Sequence, residues 1–226
     1  MKVHVKICGI TNSEDAKCAA RSGADFIGIV VEISSSPRSV SAETAEKIIK
    51  SSSLPAVLLF EKSCEEIKNI ALQSKPYGVQ LVGEHQPYEI EALRHDLGCA
   101  VWKTVHLPKD QAEGMSFDAM LLSVKRFADA GADIIVLDTL LKNKKGGTGE
   151  VCDWETARRL ISSCRVPVFL AGGITPANVQ DAVARVNPYG VDLSSGVEQR
   201  PGKKDPEKIA LLMEKIASVN CGRGIP

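Results

Sequence analysis

The sequence has no excess of either charge: 28 lysines and arginines face 28 aspartates and glutamates, a formal net charge of zero. Without a basic field there is no electrostatic case for nucleic acid or an anionic membrane as partner. Any anion must therefore be gripped by a local site. No apolar run approaches the ~18 residues that a bilayer-spanning helix needs. The opening residues MKVHVKICGI lack the apolar core and small-residue cleavage site of a secretory leader. The seven cysteines, at 8, 18, 64, 99, 152, 164 and 221, are odd in number and contain no C-x-x-C pair. That argues against a zinc ribbon and fits free thiols in a reducing cytosol, so a cytoplasmic location is expected. No Pro/Ser-rich linker divides the chain, and residues 1–226 read as one domain.

What is present is a repeated pattern: a short, nearly continuous apolar run, then a longer helical stretch. The runs fall at 4–8, 26–31, 55–60, 78–82, 100–107, 133–138, 166–173 and 190–196. Helical stretches follow at 13–22, 41–50, 63–74, 87–96, up to 130, 154–163, 175–186 and 205–219, with Ser13 and Ser41 as expected caps. Strands without alternation are buried on both faces, as in a parallel sheet. SGADFIGIVV and AGADIIVLDT echo one another, as do YGVQLVG and YGVDLSSG, so one architectural unit is reused. A doubly wound open sheet would want a G-x-G-x-x-G loop after the first strand, and CGITNS is not one. Eight units fit a closed (β/α)8 TIM barrel, an α/β fold.

In such a barrel the chemistry sits at the C-terminal ends of the strands. The first strand ends in Cys8, and the second leads into a loop carrying Arg38. The sixth ends in Asp138, the seventh in Ala171-Gly172-Gly173 and the eighth in Ser194-Ser195-Gly196. Either glycine turn alone could serve only a tight strand–helix connection. Both together, after strands 7 and 8, point to a phosphate held by backbone N–H groups. The loop KNKKGGTG (142–149) reads either as a solvated turn or as a flap over an anionic ligand. A cysteine after an apolar run is by default a packed hydrophobe, and an aspartate there a turn cap. Facing each other across a barrel mouth, they supply a base and a partly desolvated acid. One base and one acid on two sides of a sugar phosphate are what an aldose–ketose isomerisation needs.

KICGITN (6–12), SPRSV (36–40), VQLVGE (79–84), LDT with GGTG and DW, AGGITPANV (171–179) and GVDLSSGVE with PGKKD (190–198, 201–205) run in one order along the chain. In these the sequence resembles the phosphoribosylanthranilate isomerase family of tryptophan biosynthesis. The resemblance implies an Amadori rearrangement of N-(5-phosphoribosyl)anthranilate to 1-(2-carboxyphenylamino)-1-deoxyribulose 5-phosphate, with no metal and no organic cofactor. By position, Cys8 is similar to the family's general base and Asp138 to its general acid. Arg38 is similar to the arginine that holds the ring carboxylate. Gly172, Gly173, Ser194, Ser195 and Gly196 match its phosphate turns. The expected partner is a small sugar phosphate, and the expected state is a monomer or homodimer. The chain departs from the family at Val82, where a histidine is usual, and in VVEISSSP and AVLLFEK after strands 2 and 3. Two alternatives stand beside this reading: a related ribose-phosphate isomerase or epimerase, and a non-catalytic phosphate-binding barrel. An epimerase leans on metal-binding strand-end histidines, whereas His106 reads as a buried or rim residue.

Overall fold

The computed structural model describes residues 2–107, 116–139 and 154–222. In chain order the strands are β1 (His4–Ile7), β2 (Phe26–Val31), the two-residue β3 (Ser39–Val40), β4 (Ala56–Phe60), β5 (Gly78–Leu81), β6 (Ala100–Leu107), β7 (Ile134–Thr139), β8 (Val168–Ala171) and β9 (Gly190–Leu193). A small antiparallel hairpin follows, β10 (Glu198–Arg200) with β11 (Lys203–Lys204). The helices are α1 (Ser13–Arg21), α2 (Ala42–Ser51), α3 (Cys64–Ser74), α4 (Pro87–Leu97), α5 (Phe117–Asp129), α6 (Trp154–Ser162), α7 (Val179–Val186) and α8 (Pro206–Gly222). Leaving β3 aside, the parallel strands run β1-β9-β8-β7-β6-β5-β4-β2, and β2 returns to pair with β1. The ring is therefore a closed barrel of eight strands, as expected from the eight units.

Local chemistry explains the helix starts. Ser41 Oγ accepts the Thr44 N–H at 3.2 Å. Ser63 and Glu66 cap α3 reciprocally, each side chain accepting from the other's backbone N–H. The cap of α1 is Asn12 rather than the expected Ser13; its Oδ1 accepts the Asp15 N–H at 2.9 Å. An amide one residue earlier reaches that orphan donor, and Ser13 becomes the first helical residue. The stretch expected as helix from 175 opens with a turn, in which Asn178 Oδ1 accepts the Thr175 N–H, and α7 begins at Val179.

Side chains alternate between two cores. Outward-facing residues such as Val5, Ile7, Val105 and Leu107 pack under the helices. Inward-facing Val57, Trp102, Ile134, Val136 and Phe169 fill the lower barrel, with Phe26 and Tyr189 packed against them. Trp102 is fully buried, and its ring centroid lies 5.1 Å from that of Phe169. Truncating such a ring to alanine costs about 3–5 kcal/mol. Gly190 has no side chain because the Phe169 ring occupies that space.

Above this plug lies a polar layer. Lys6 Nζ donates to Asp192 Oδ2 at 2.8 Å and to Gln80 Oε1 at 2.9 Å, and Gln80 Nε2 donates to Thr104 Oγ1 at 2.9 Å. All four side chains are buried. Charges removed from water this far survive only when paired and hydrogen-bonded. The layer is the floor of the site.

Candidate active site

A cavity of about 250 Å³ opens at the C-terminal end of the barrel. Period-two alternation decides what reaches it. Two residues above Lys6 stands Cys8, above Gln80 stands Val82, above Val136 stands Asp138, and above Asp192 stands Ser194. Each of these upper residues lines the cavity.

Cys8 is buried, 8% exposed, against Val30, Ile33 and Leu59, and its N–H donates to Leu193 O at 2.8 Å. Gly28 makes room for it: a Cβ there would lie 2.8 Å from Cys8 Sγ and 3.1 Å from Lys6 Nζ. Burial pushes the Cys8 thiol above its ordinary range. The neighbouring ammonium groups of Lys6 and Lys204 pull the other way, whereas Asp192 adds to the rise. Cys8 thus rests as a neutral thiol with two cations beside it that favour its anion.

Asp138 is the penultimate residue of β7, with its side chain 36% exposed and its Oδ2 3.9 Å from His106 Nδ1. It sits three strands from Cys8 around the ring, by way of β9 and β8. Gly172 and Gly173 follow β8 with φ of +88° and +67°. Backbone in that region favours residues without a Cβ. Both glycines line the cavity, as do Ser194 and Ser195. Two buried oxygens in this wall have no hydrogen-bond partner among the described residues, Ser194 Oγ and Asp192 Oδ1. Buried acceptors of this kind are ordinarily satisfied, which marks them as places for a ligand's hydroxyl or N–H.

The structure thus gathers Cys8, Asp138, Gly172, Gly173, Ser194 and Ser195 on one cavity. Arg38 and Gly196 stand just behind its wall. Gly196 lets the β8 and β9 loops meet, since a side chain there would run into the Ile174 carbonyl. The Arg38 stem lies over Gly9, where a Cβ would be 2.5 Å from Arg38 Cδ. Its guanidinium forks onto Glu198 rather than pointing at open cavity. Lys204, fully buried, donates to the same carboxylate at 2.9 Å and to Ser194 O at 3.2 Å. Loop 142–149 lies outside the described residues.

Lys6, Gln80, Thr104 and Asp192 went unassigned from sequence. The signal was there: each is a polar residue inside an otherwise apolar strand, on the inward face. Among the described residues no group of three His, Cys, Asp or Glu side chains could hold a metal ion, and no helix is long and apolar enough to cross a membrane.

A closed (β/α)8 barrel with paired glycine and serine turns at its last two strands, and a thiol and a carboxylate on one cavity, defines an enzyme of the sugar-phosphate barrel class. The sequence profile of N-(5'-phosphoribosyl)anthranilate (PRA) isomerase matches residues 5–215. The N-(5'-phosphoribosyl)anthranilate isomerase of Methanopyrus kandleri is 41% identical over 220 residues, covering 96% of this chain and all of that one. The crystal structure of phosphoribosyl anthranilate isomerase from Thermotoga maritima superposes with a TM-score of 0.82 at 32% identity, covering 96% of this chain and 99% of that one. A phosphoribosyl anthranilate isomerase structure in complex with reduced 1-(o-carboxyphenylamino)-1-deoxyribulose 5-phosphate matches with a TM-score of 0.78 at 32% identity, over 96% and 99% of the two chains. The chain belongs to the N-(5'-phosphoribosyl)anthranilate isomerase family.

Proposed function

We propose that this cavity performs the isomerase reaction of tryptophan biosynthesis with Cys8 as base and Asp138 as acid. The substrate is N-(5'-phosphoribosyl)anthranilate. The single observation that carries the assignment is the presence of both groups on the wall of one cavity beside the glycine and serine turns.

The substrate's phosphate seats on the backbone of Gly172, Gly173, Ser195 and Gly196, where N–H groups replace its water. That anchor fixes the pentose between β1 and β7. Asp138 gives its proton to the ring oxygen as the C1–O bond breaks, and the anilino nitrogen's lone pair forms the Schiff base. Cys8 first releases its thiol proton to solvent, the thiolate being favoured by the ammonium groups of Lys6 and Lys204, and then takes the C2 proton while the C–H electrons flow to the iminium nitrogen. The resulting enolamine becomes the ketone when C1 gains a proton and the C2 hydroxyl loses one. Asp192 Oδ1 and Ser194 Oγ, buried and lacking partners, receive substrate hydroxyls along the way. Arg38 offers the anthranilate carboxylate a planar fork of donors. The free thiols at Cys8, Cys18, Cys64, Cys99, Cys164 and Cys221 fit a chain that works in the cytoplasm.

The test is turnover by purified protein, read by product fluorescence on enzymatically generated substrate. Cys8→Ser and Asp138→Asn should each lower kcat by about a hundredfold, the usual scale of general acid–base help. Wild-type turnover in either variant would remove that residue from the mechanism.

A further inference from the structure

Three charged side chains form one group behind the cavity wall. Glu198 accepts the Arg38 fork and, through Oε1, the Lys204 ammonium at 2.9 Å. The Gly202 N–H adds a longer bond to that oxygen, at 3.4 Å. The side chains of Glu198 and Lys204 are 4% and 0% exposed, whereas that of Arg38 is 20% exposed. Arg38 is therefore the member of the three that meets solvent. It does so beside the cavity. Arg38 Cδ and Oγ of the cavity residue Ser194 both crowd the space over Gly9, 2.5 and 2.7 Å from where a Cβ would stand. The group holds two cations and one anion. Its buried neighbours are already balanced, Lys6 by Asp192 and Asp15 by Lys203. Lys208 donates to the Glu198 carbonyl and stands 3.7 Å from Asp205. One positive charge is left over, which suits one more carboxylate.

We propose that Lys204 is a positioning residue for carboxylate recognition: it holds Glu198 when Arg38 turns to the substrate's ring carboxylate, and it supplies the surplus charge that lets one guanidinium serve two carboxylates. The proposal rests on the reading of Arg38 as the group that meets the ring carboxylate. Lys204 never touches substrate in this scheme. Without it, Arg38 and Glu198 would be a neutral pair, and drawing the guanidinium away would strand a buried carboxylate. With it, Glu198 keeps an ammonium and the Gly202 N–H. The ammonium is itself held in place. The Lys204 N–H donates to Asp15 Oδ2 at 2.9 Å, and its Nζ donates to the Ser194 carbonyl at 3.2 Å. Burial lowers the Lys204 pKa from the ordinary 10.5, and the bond to Glu198 opposes that fall.

The experiment measures kcat and KM on the substrate and on an analogue lacking the ring carboxylate, for wild type, Lys204→Gln, the double variant Lys204→Gln/Glu198→Gln, and Arg38→Ala. The readout is selectivity, the ratio of kcat/KM on the two compounds. Lys204→Gln should lose about tenfold or more in selectivity, the scale of one charge-assisted hydrogen bond, through KM on the carboxylated substrate with kcat nearly unchanged. The double variant removes both the surplus cation and the internal competitor, leaves Arg38 with its charge, and should regain selectivity to within about threefold of wild type or better. A purely structural role predicts the reverse, since a second buried substitution would not repair the first. Should Lys204→Gln fail to fold, the double variant decides alone: selectivity as low as in Arg38→Ala overturns the proposal. An equal loss on both compounds in Lys204→Gln, or no loss, also overturns it while leaving Arg38 in its role. Wild-type selectivity in Arg38→Ala overturns the underlying reading instead.

Discussion

The Arg38 guanidinium grips Glu198 with two parallel bonds, Nε to Oε1 at 2.8 Å and Nη2 to Oε2 at 2.6 Å. Glu198 is buried, and Lys204 shares its Oε1. The forked pair aims the guanidinium, and in the proposed mechanism the substrate's ring carboxylate competes with Glu198 for it. Arg38→Ala should raise KM by at least about tenfold, the loss of a charge-assisted hydrogen bond worth about 1.5–3 kcal/mol. Arg38→Lys should not restore it, because a point charge does not reproduce the fork. Steady-state assays with and without the carboxylate on the substrate check this. An equal loss on the analogue lacking the carboxylate would detach Arg38 from that role.

Cys8 should react as a reluctant thiol. Alkylation needs the thiolate, and burial holds the Cys8 pKa above the ordinary 9.0. The rate at Cys8, followed by peptide mass spectrometry, should therefore be low at pH 7 and still be rising with pH beyond 9. Lys6→Met removes the largest opposing influence and should slow the reaction further at every pH in between. A rate that levels off below pH 8 would contradict the neutral resting thiol.

The Lys6–Asp192 pair forms the floor of the site, with side chains 0% and 6% exposed. Deleting one partner leaves the other charged and buried, at a cost of about 3–5 kcal/mol. Lys6→Met and Asp192→Ala should each show this loss in urea unfolding. Asp192→Asn, whose oxygen can still accept from Lys6 Nζ, should lose less stability than Asp192→Ala yet raise KM, since its side chain no longer offers a carboxylate oxygen to the cavity. Wild-type KM in Asp192→Asn would leave that oxygen without a substrate partner.

Lys103 is buried, with no carboxylate in contact among the described residues, donating to the carbonyls of Leu81 and Gly83, and burial lowers its pKa from 10.5 to about 8. The unfolded chain binds this proton more tightly, so between about pH 8 and 10.5 it carries more protons than the fold. In that window Lys103 should make stability rise with pH, and below it impose a constant cost of up to about 3 kcal/mol. Urea unfolding of wild type and Lys103→Met at pH 7.5 and 9.5 isolates its share as the difference between the two proteins. A difference that does not change with pH would place the ammonium in water instead.

How far the sequence reached is best seen along single strands. VVEISSSP and AVLLFEK both marked strand ends, and the apolar runs placed all eight barrel strands in order. Helix starts were legible where a serine precedes an acidic first turn, as at Ser41. At Asn12 they were not, because two adjacent polar residues compete for one cap. Cys8, Asp138 and the two glycine turns were readable because strand ends face the mouth. Lys6 was not, since a lysine inside VHVKIC looks like an error in the pattern until a glycine on the neighbouring strand β2, Gly28, proves to have vacated its space. The forked grip of Glu198 on Arg38 was also hidden. The partners are 160 residues apart, and no local rule couples them.

Barrel closure carries one more consequence. β1 is hydrogen-bonded to β9, His4 opposite Gly190 through Ile7 opposite Leu193, and the backbone of Cys8 itself hangs on Leu193. Cys8, the proposed base, is thus held by a strand that follows it at a long distance in sequence. A chain that stopped short of that strand would carry the proposed base and still have no closed site, so activity arrives in one step with closure rather than growing with length.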